Sequence, residues 1–237
     1  VGAEFRLSET EARPEVSAFF AESRVRRVFL GIAALIGWVS LALQLDRNIR
    51  DAYTSGQTLL HGVAHFATFF TTTTNVFAAG VLTLALVGGK CEPKPATKAA
   101  VASYMLLVFT IFALLLDGNK HRTGIDWLAN TGVHYVMPLL MLVNWLAGTP
   151  HGSLNWRQPF TWIAYPAVYF VYMLLRGLFA GDFPYWFLNP ARVGWPHLFV
   201  YAALLLIVFW AVGQIFVWVD GILARFFQPV DASGHPA

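Results

Sequence analysis

The chain has 237 residues, 57% of them hydrophobic and only 12% charged, with a mean hydropathy of +0.56 and a formal net charge of +3. A soluble domain carries roughly 25% charged residues, so half that share leaves too little polar surface to clothe a water-soluble globule, and the small net charge makes no case for nucleic acid. The single cysteine, Cys91, excludes an intrachain disulfide and a multi-cysteine metal site.

Six apolar stretches are long enough to cross a hydrocarbon core, which takes about 20 helical residues. In chain order they lie near 27–45, 58–88, 98–117, 126–147, 159–180 and 197–224. The expected fold is all-α, a polytopic integral membrane bundle of about six transmembrane helices. One transmembrane domain over 21–227 is expected, with mobile tails at 1–20 and 228–237. Gly88, Gly89, Pro93, Pro95, Gly118, Pro150, Pro184 and Pro190 punctuate short connections. With the N-terminus inside, inner segments hold Arg6, Arg13, Arg24, Arg26, Arg27, Lys90, Lys94, Lys98, Arg157 and Arg225. Outer loops hold Arg47, Arg50, Lys120, Arg122 and Arg192, half as many, so both termini are expected in the cytoplasm. Trp127, Trp145, Trp162, Tyr185, Trp186 and Trp195 near helix ends fit interfacial belts.

Within a span the informative residue is the polar one, because its desolvation must be offset by a partner. On the second stretch, His61, His65, Thr68, Thr72 and Asn75 fall on one helical face, with Thr71 beside it and Thr73 pointing largely away. The fourth stretch carries Asn130, His134 and Pro138. Pro138 removes a backbone donor and its ring disturbs the carbonyl of His134, so a kink is expected there. Counted along the helices, Thr71 and His134 differ in depth by roughly 7 Å. A Thr hydroxyl and a neutral imidazole at one depth are the minimum for nucleophilic acyl transfer. Asn75 or Asn130 would donate to the oxyanion, with Thr74 as a further pocket residue. Packing and back-bonding of the Thr hydroxyls is the alternative for each residue taken singly.

At these residues the chain resembles the androgen-induced and androgen-dependent TFPI-regulating protein family, in its bacterial branch. The matching segments are Phe69-Phe70-Thr71-x-x-Thr74-Asn75, Asn130-x-Gly132-Val133-His134 followed by Pro138, and Tyr165-Pro166-x-x-Tyr169 through Tyr172 and Arg176-Gly177 to Phe183-Pro184-Tyr185. They run from the second stretch to the start of the sixth. The resemblance implies a multi-pass membrane hydrolase acting on fatty acid esters of hydroxy fatty acids, with a Thr nucleophile and a His base. It implies a protein of the bacterial inner (plasma) membrane, with a lipid or fatty-acyl ester as substrate and no cofactor. Carried onto this chain, the nucleophile is Thr71, with Thr72 as the alternative, and the base is His134. Arg176 and Tyr172 would hold the substrate headgroup; snorkelling to the outer water is the alternative for Arg176. Two other classes stay open: a carrier or channel lined by the polar face, and a metal or haem protein using His61, His65 and His134.

Overall fold

The computed structural model describes residues 24–118 and 122–227; the two tails expected at 1–20 and 228–237, and Lys120, lie outside the described residues. The described residues form helices and turns. In order they are α1 (Arg24–Thr54), α2 (Leu59–Phe66), α3 (Phe70–Val87) and α4 (Pro95–Ile111), which runs on through a π-helical turn at Phe112–Leu116. Next come α5 (Gly124–Thr131), a second π-turn at Gly132–Val136, and α6 (Met137–Gly148). Last among the described residues are α7 (Gln158–Trp162), α8 (Ala164–Ala180), the short α9 (Pro190–Val193) and α10 (Trp195–Phe227).

Among the described residues, five helical runs are long and apolar enough to cross a membrane: 24–54, 70–87, 95–116, 158–180 and 195–226. The stretch expected at 126–147 is the helical run 124–148, whose apolar content is diluted by Asn130, His134, Pro138 and Asn144. The outer faces of the bundle are apolar: Val28, Ile32, Leu35 and Val39 line one side of α1, and Leu204, Ile207, Val208, Ile215 and Trp218 lie exposed on α10. Continuous exposed apolar faces suit lipid and would be a liability in water.

The core packs α1, α3, α4 and α6 through small side chains. Ala33 and Ala34 on α1, Ala78 and Ala79 on α3, and Ala99 and Ala102 on α4 are buried. A Cβ on Gly37 would stand 2.7 Å from Met137 Cε and 3.1 Å from Ala79 Cβ, so glycine lets α1 pack closely against α3 and α6 without moving either side chain. Close approach of backbones, rather than a hydrophobic drive, holds helices together in lipid.

Two prolines set the shape of the bundle, and each frees a carbonyl that another helix satisfies. Pro166 has no N–H for the Trp162 carbonyl, which accepts instead from the Tyr104 hydroxyl of α4 at 2.7 Å. At Pro138 the helix changes register: Met137 N–H donates to the Gly132 carbonyl, an i to i+5 bond. The next such bond, onto Val133, would need the missing N–H of Pro138. Asn75 Nδ2 supplies it from α3, at 2.9 Å from the Val133 carbonyl. The kink expected at Pro138 is thus taken up as a π-turn containing His134.

Candidate functional site

The stretch expected as one span over 58–88 is two helices. The chain leaves α2 after Phe66, turns through Ala67 and Thr68, and starts α3 from an extended Phe69 (φ −84°, ψ 135°). No glycine or proline marks the break. Its freed backbone groups are met by three tyrosines: Tyr169 Oη donates to the Thr68 carbonyl at 2.7 Å, Tyr172 Oη to the Ala67 carbonyl at 3.4 Å, and the Tyr185 hydroxyl accepts from Phe70 N–H at 3.1 Å. In a membrane every such group must find a partner inside the protein.

The break puts Thr71 in the first turn of an 18-residue helix. Among the described residues the N–H groups of Thr71 and Thr72 have no hydrogen-bond partner. A helix N-terminus with unpaired N–H groups favours negative charge. Thr71 also lines an apolar cavity of about 80 Å³ between α3, α4, α8 and α10. Phe70, Phe112, Phe170, Leu205 and Phe209 are among its apolar lining, and Thr71, Tyr169 and Tyr185 are its polar groups. The side chains of Thr71 and Tyr169 interact with the Tyr185 hydroxyl. Burial pushes that hydroxyl up to about 12, so it keeps its proton to donate at neutral pH.

His134 stands behind one wall of this cavity. Its ring stacks on Phe112, with centroids 3.6 Å apart and planes at 19°. His134 Nδ1 lies 3.0 Å from the Asn130 carbonyl. A carbonyl only accepts, so Nδ1 carries the proton and Nε2 carries the lone pair. The Arg122 guanidinium lies over the Phe112 ring, 5.6 Å from its centre. Arg122 also pairs with Asp117 at 2.6 Å, and Tyr135 Oη donates to the same carboxylate at 2.8 Å. These bonds hold the Asp117 carboxyl below its usual range. Phe112 and His134 each sit in one of the two π-turns, a local register often found at functional sites.

Asn75 joins the two halves. Its Nδ2 donates to the Thr71 carbonyl at 2.8 Å as well as to Val133, so the nucleophile candidate and the residue before His134 are pinned to one amide nitrogen. Both amide hydrogens are thereby committed, which makes Asn75 a strut between helices; the N–H groups at the start of α3 are the uncommitted donors. Thr72 is 4% exposed and does not line the cavity. Thr74 and Thr73 each lie 2.9 Å from the Tyr165 hydroxyl, so both hydroxyls turn to α8. Asn130 is buried beside His134, holding it through its carbonyl.

The remaining sequence candidates gather at the α2 end. Arg176 donates to the Asp182 carbonyl at 3.2 Å and lies 3.5 Å from its carboxylate. His65 Nδ1 lies 2.8 Å from Asn48 Oδ1, and its Nε2 lies 3.8 Å from Asp182. His61 stacks on His65 at 6.3 Å. His61 and His65 lie on α2 and His134 on the π-turn, and among the described residues no group of three His, Cys, Asp or Glu is placed to hold a metal ion.

Fold and site together define an all-helical bundle of membrane type, with a threonine at a helix N-terminus opening on an internal apolar cavity. Comparisons with protein-family models, with curated proteins and with solved structures find no match to this chain.

Proposed function

We propose that the protein is an intramembrane lipid esterase, with six spans, cytoplasmic termini and a place in the bacterial inner membrane. The observation that carries this reading is the position of Thr71: a hydroxyl in the first turn of α3, on the wall of an apolar cavity, beside unpaired backbone N–H groups. An ester carbonyl seated there meets nucleophile and oxyanion donors together. Thr71 Oγ1 attacks the carbonyl carbon while its proton passes to His134 Nε2. The N–H groups of Thr71 and Thr72, with the Tyr185 hydroxyl, stabilise the oxyanion. Collapse breaks the ester C–O bond, and His134 returns the proton to the departing alkoxide. Water, deprotonated by the same imidazole, then releases the fatty acid and restores Thr71.

Phe112 stands at the cavity wall against His134, so substrate entry turns this ring aside to bring imidazole and hydroxyl together. A cavity of about 80 Å³ holds a short acyl segment. A longer chain leaves between α8 and α10 into lipid. The substrate class is a fatty-acyl ester, with fatty acid esters of hydroxy fatty acids as the first candidates. The test is release of free fatty acid by the purified protein in micelles. Thr71→Ala and His134→Ala should each lower the rate by about 10²-fold or more. Equal rates in wild type and both variants would sink the proposal.

A further inference from the structure

A groove of about 410 Å³ lies on the side of the bundle, between α3, α4 and the run from α7 into α8. It follows the Thr71 cavity end to end along the same helices. On α4 the groove takes Ala96 to Tyr104, and the cavity takes Val108 to Ile111 and then Phe112 and Leu116 of the π-turn. On α3, which runs the other way, the groove takes Phe77 and the cavity Phe70 and Thr71. From α7 into α8 the groove takes Gln158 to Tyr165 and the cavity Pro166 to Phe170. At 1.5 Å per residue, Ala96 to Leu116 measures about 30 Å, the thickness of a hydrocarbon core.

One layer of aromatic rings divides the two. Phe70 and Phe209 line the cavity, Tyr104 and Tyr165 the groove. The rings meet across the layer, Phe70 with Tyr165 at 5.2 Å between centroids and Phe209 with Tyr104 at 6.0 Å. Tyr104 is buried and tied to the Trp162 carbonyl, whereas Tyr165 is half-buried at the edge of the groove. The Tyr165 hydroxyl lies 2.9 Å from Thr73 and Thr74 Oγ1. Thr73 has the Phe70 carbonyl as a further acceptor at 3.1 Å, so its hydroxyl stays bonded when Tyr165 turns outward. Ala96 and Ala100 keep the α4 side of the groove low, and Phe77 and Trp162 flank it. Thr97, Gln158 and Thr161 place its other polar side chains at the end remote from Thr71.

We infer that the groove receives the alcohol arm of an ester whose carbonyl sits at Thr71, and that this arm is a long alkyl chain. Tyr165 is the ring that turns aside to pass it, and the acyl arm leaves separately between α8 and α10. The ester at Thr71 rests on the esterase reading of that site, whereas occupancy of the groove is tested without hydrolysis. A chain gains no hydrophobic energy on leaving lipid for the groove. Its tether to a head end held in the cavity favours it there, by raising its local concentration.

The probes are two forms of hexadecanol, one with a diazirine beside the hydroxyl and one with a diazirine near the far end. The full chain in a nonionic detergent is photolysed with each, and modified residues are located by peptide mass spectrometry. The first probe should mark Phe70 and its neighbours in the cavity, and the second the groove from Ala96 to Val101. Both labels should saturate and be competed by unlabelled hexadecanol. Thr97→Trp, at an exposed position, fills the far end of the groove. It should lower far-end labelling there by about fivefold or more and keep the cavity label, which shows that the variant is folded. Thr161→Trp, from the opposite side, should do the same. Groove labelling in a protein that hydrolyses no ester keeps the groove and removes the esterase; hydrolysis without groove labelling does the reverse. Far-end label that rises linearly with probe and falls equally on exposed Leu204 and Ile207 of α10 is bulk partitioning and overturns the inference. Far-end labelling of the groove unchanged in both tryptophan variants overturns it as well.

Discussion

Replacing Asn75 with leucine keeps the side chain's approximate size and removes its two donated bonds. The bond to Thr71 is within α3, and the first-turn carbonyl keeps its own helical partner, so little is lost there. The bond to Val133 is different, because Pro138 leaves that carbonyl no helical donor. Interhelical hydrogen bonds in membrane proteins are worth about 0.6–1.7 kcal/mol, and an unsatisfied buried carbonyl adds about 1–3 kcal/mol. Asn75→Leu should therefore destabilise the bundle by roughly 1–3 kcal/mol. Thr110→Val, which removes only a local bond to the Leu106 carbonyl, should change stability by about 0.5 kcal/mol or less. The decisive comparison is a double-mutant cycle with Pro138→Ala, read by steric trapping or by SDS unfolding in mixed micelles. Alanine at 138 restores the missing N–H, so the cost of Asn75→Leu should fall by about 1 kcal/mol in that background. The same cost in both backgrounds would refute the claim that Asn75 substitutes for the proline's absent donor.

Three other outcomes follow from the same geometry. A Cβ on Gly132 would collide with Ser40 Oγ and lie 2.8 Å from Ser40 Cβ, so Gly132→Ala should destabilise by about 1–3 kcal/mol. Pairing it with Ser40→Gly should recover most of that loss in the same unfolding assay. Tyr185→Phe removes the acceptor of Phe70 N–H and a donor to the oxyanion, so kcat should fall by about 10–10³-fold with KM changed far less; an unchanged kcat would remove Tyr185 from the proposed chemistry. For Asp117 the folded-state value is lowered, mainly by Arg122 and then by Tyr135. The stability it adds is complete above its ordinary pKa of about 3.9 and is lost as pH falls through the lower folded value. Asp117→Asn should therefore reduce stability at neutral pH and bring it level with wild type at the acid limit.

The long apolar helices were legible because runs of such composition favour helix, and Thr71 and His134 stood out as polar residues within apolar stretches. What the sequence hid was set by distant partners. The break at Ala67 and Thr68 has no local signal, since it is held by Tyr169, Tyr172 and Tyr185 from about a hundred residues away. The break also interrupts the helix between His65 and Thr72, so the polar face expected over 61–75 is not one helix face. Tyr185 read as an interfacial aromatic, yet it reaches into the cavity wall. Trp145 and Trp162 read the same way and are buried, Trp145 against Phe216 and His151. Asn75 was recognised as a buried polar residue, but only the π-turn at Pro138 explains where its amide goes. Arg176 is tied to Asp182, a pairing across the turn after α8 that spacing alone could not fix.

The central claim is that Thr71, at the start of α3, is a nucleophile served by His134. The most direct measurement is covalent labelling of the purified protein with a fluorophosphonate, with the modified residue located by peptide mass spectrometry. The account predicts one label on Thr71, lost in Thr71→Ala and in His134→Ala and kept in Thr72→Ala. A folded wild type that takes no label, or labelling that survives Thr71→Ala, would contradict it.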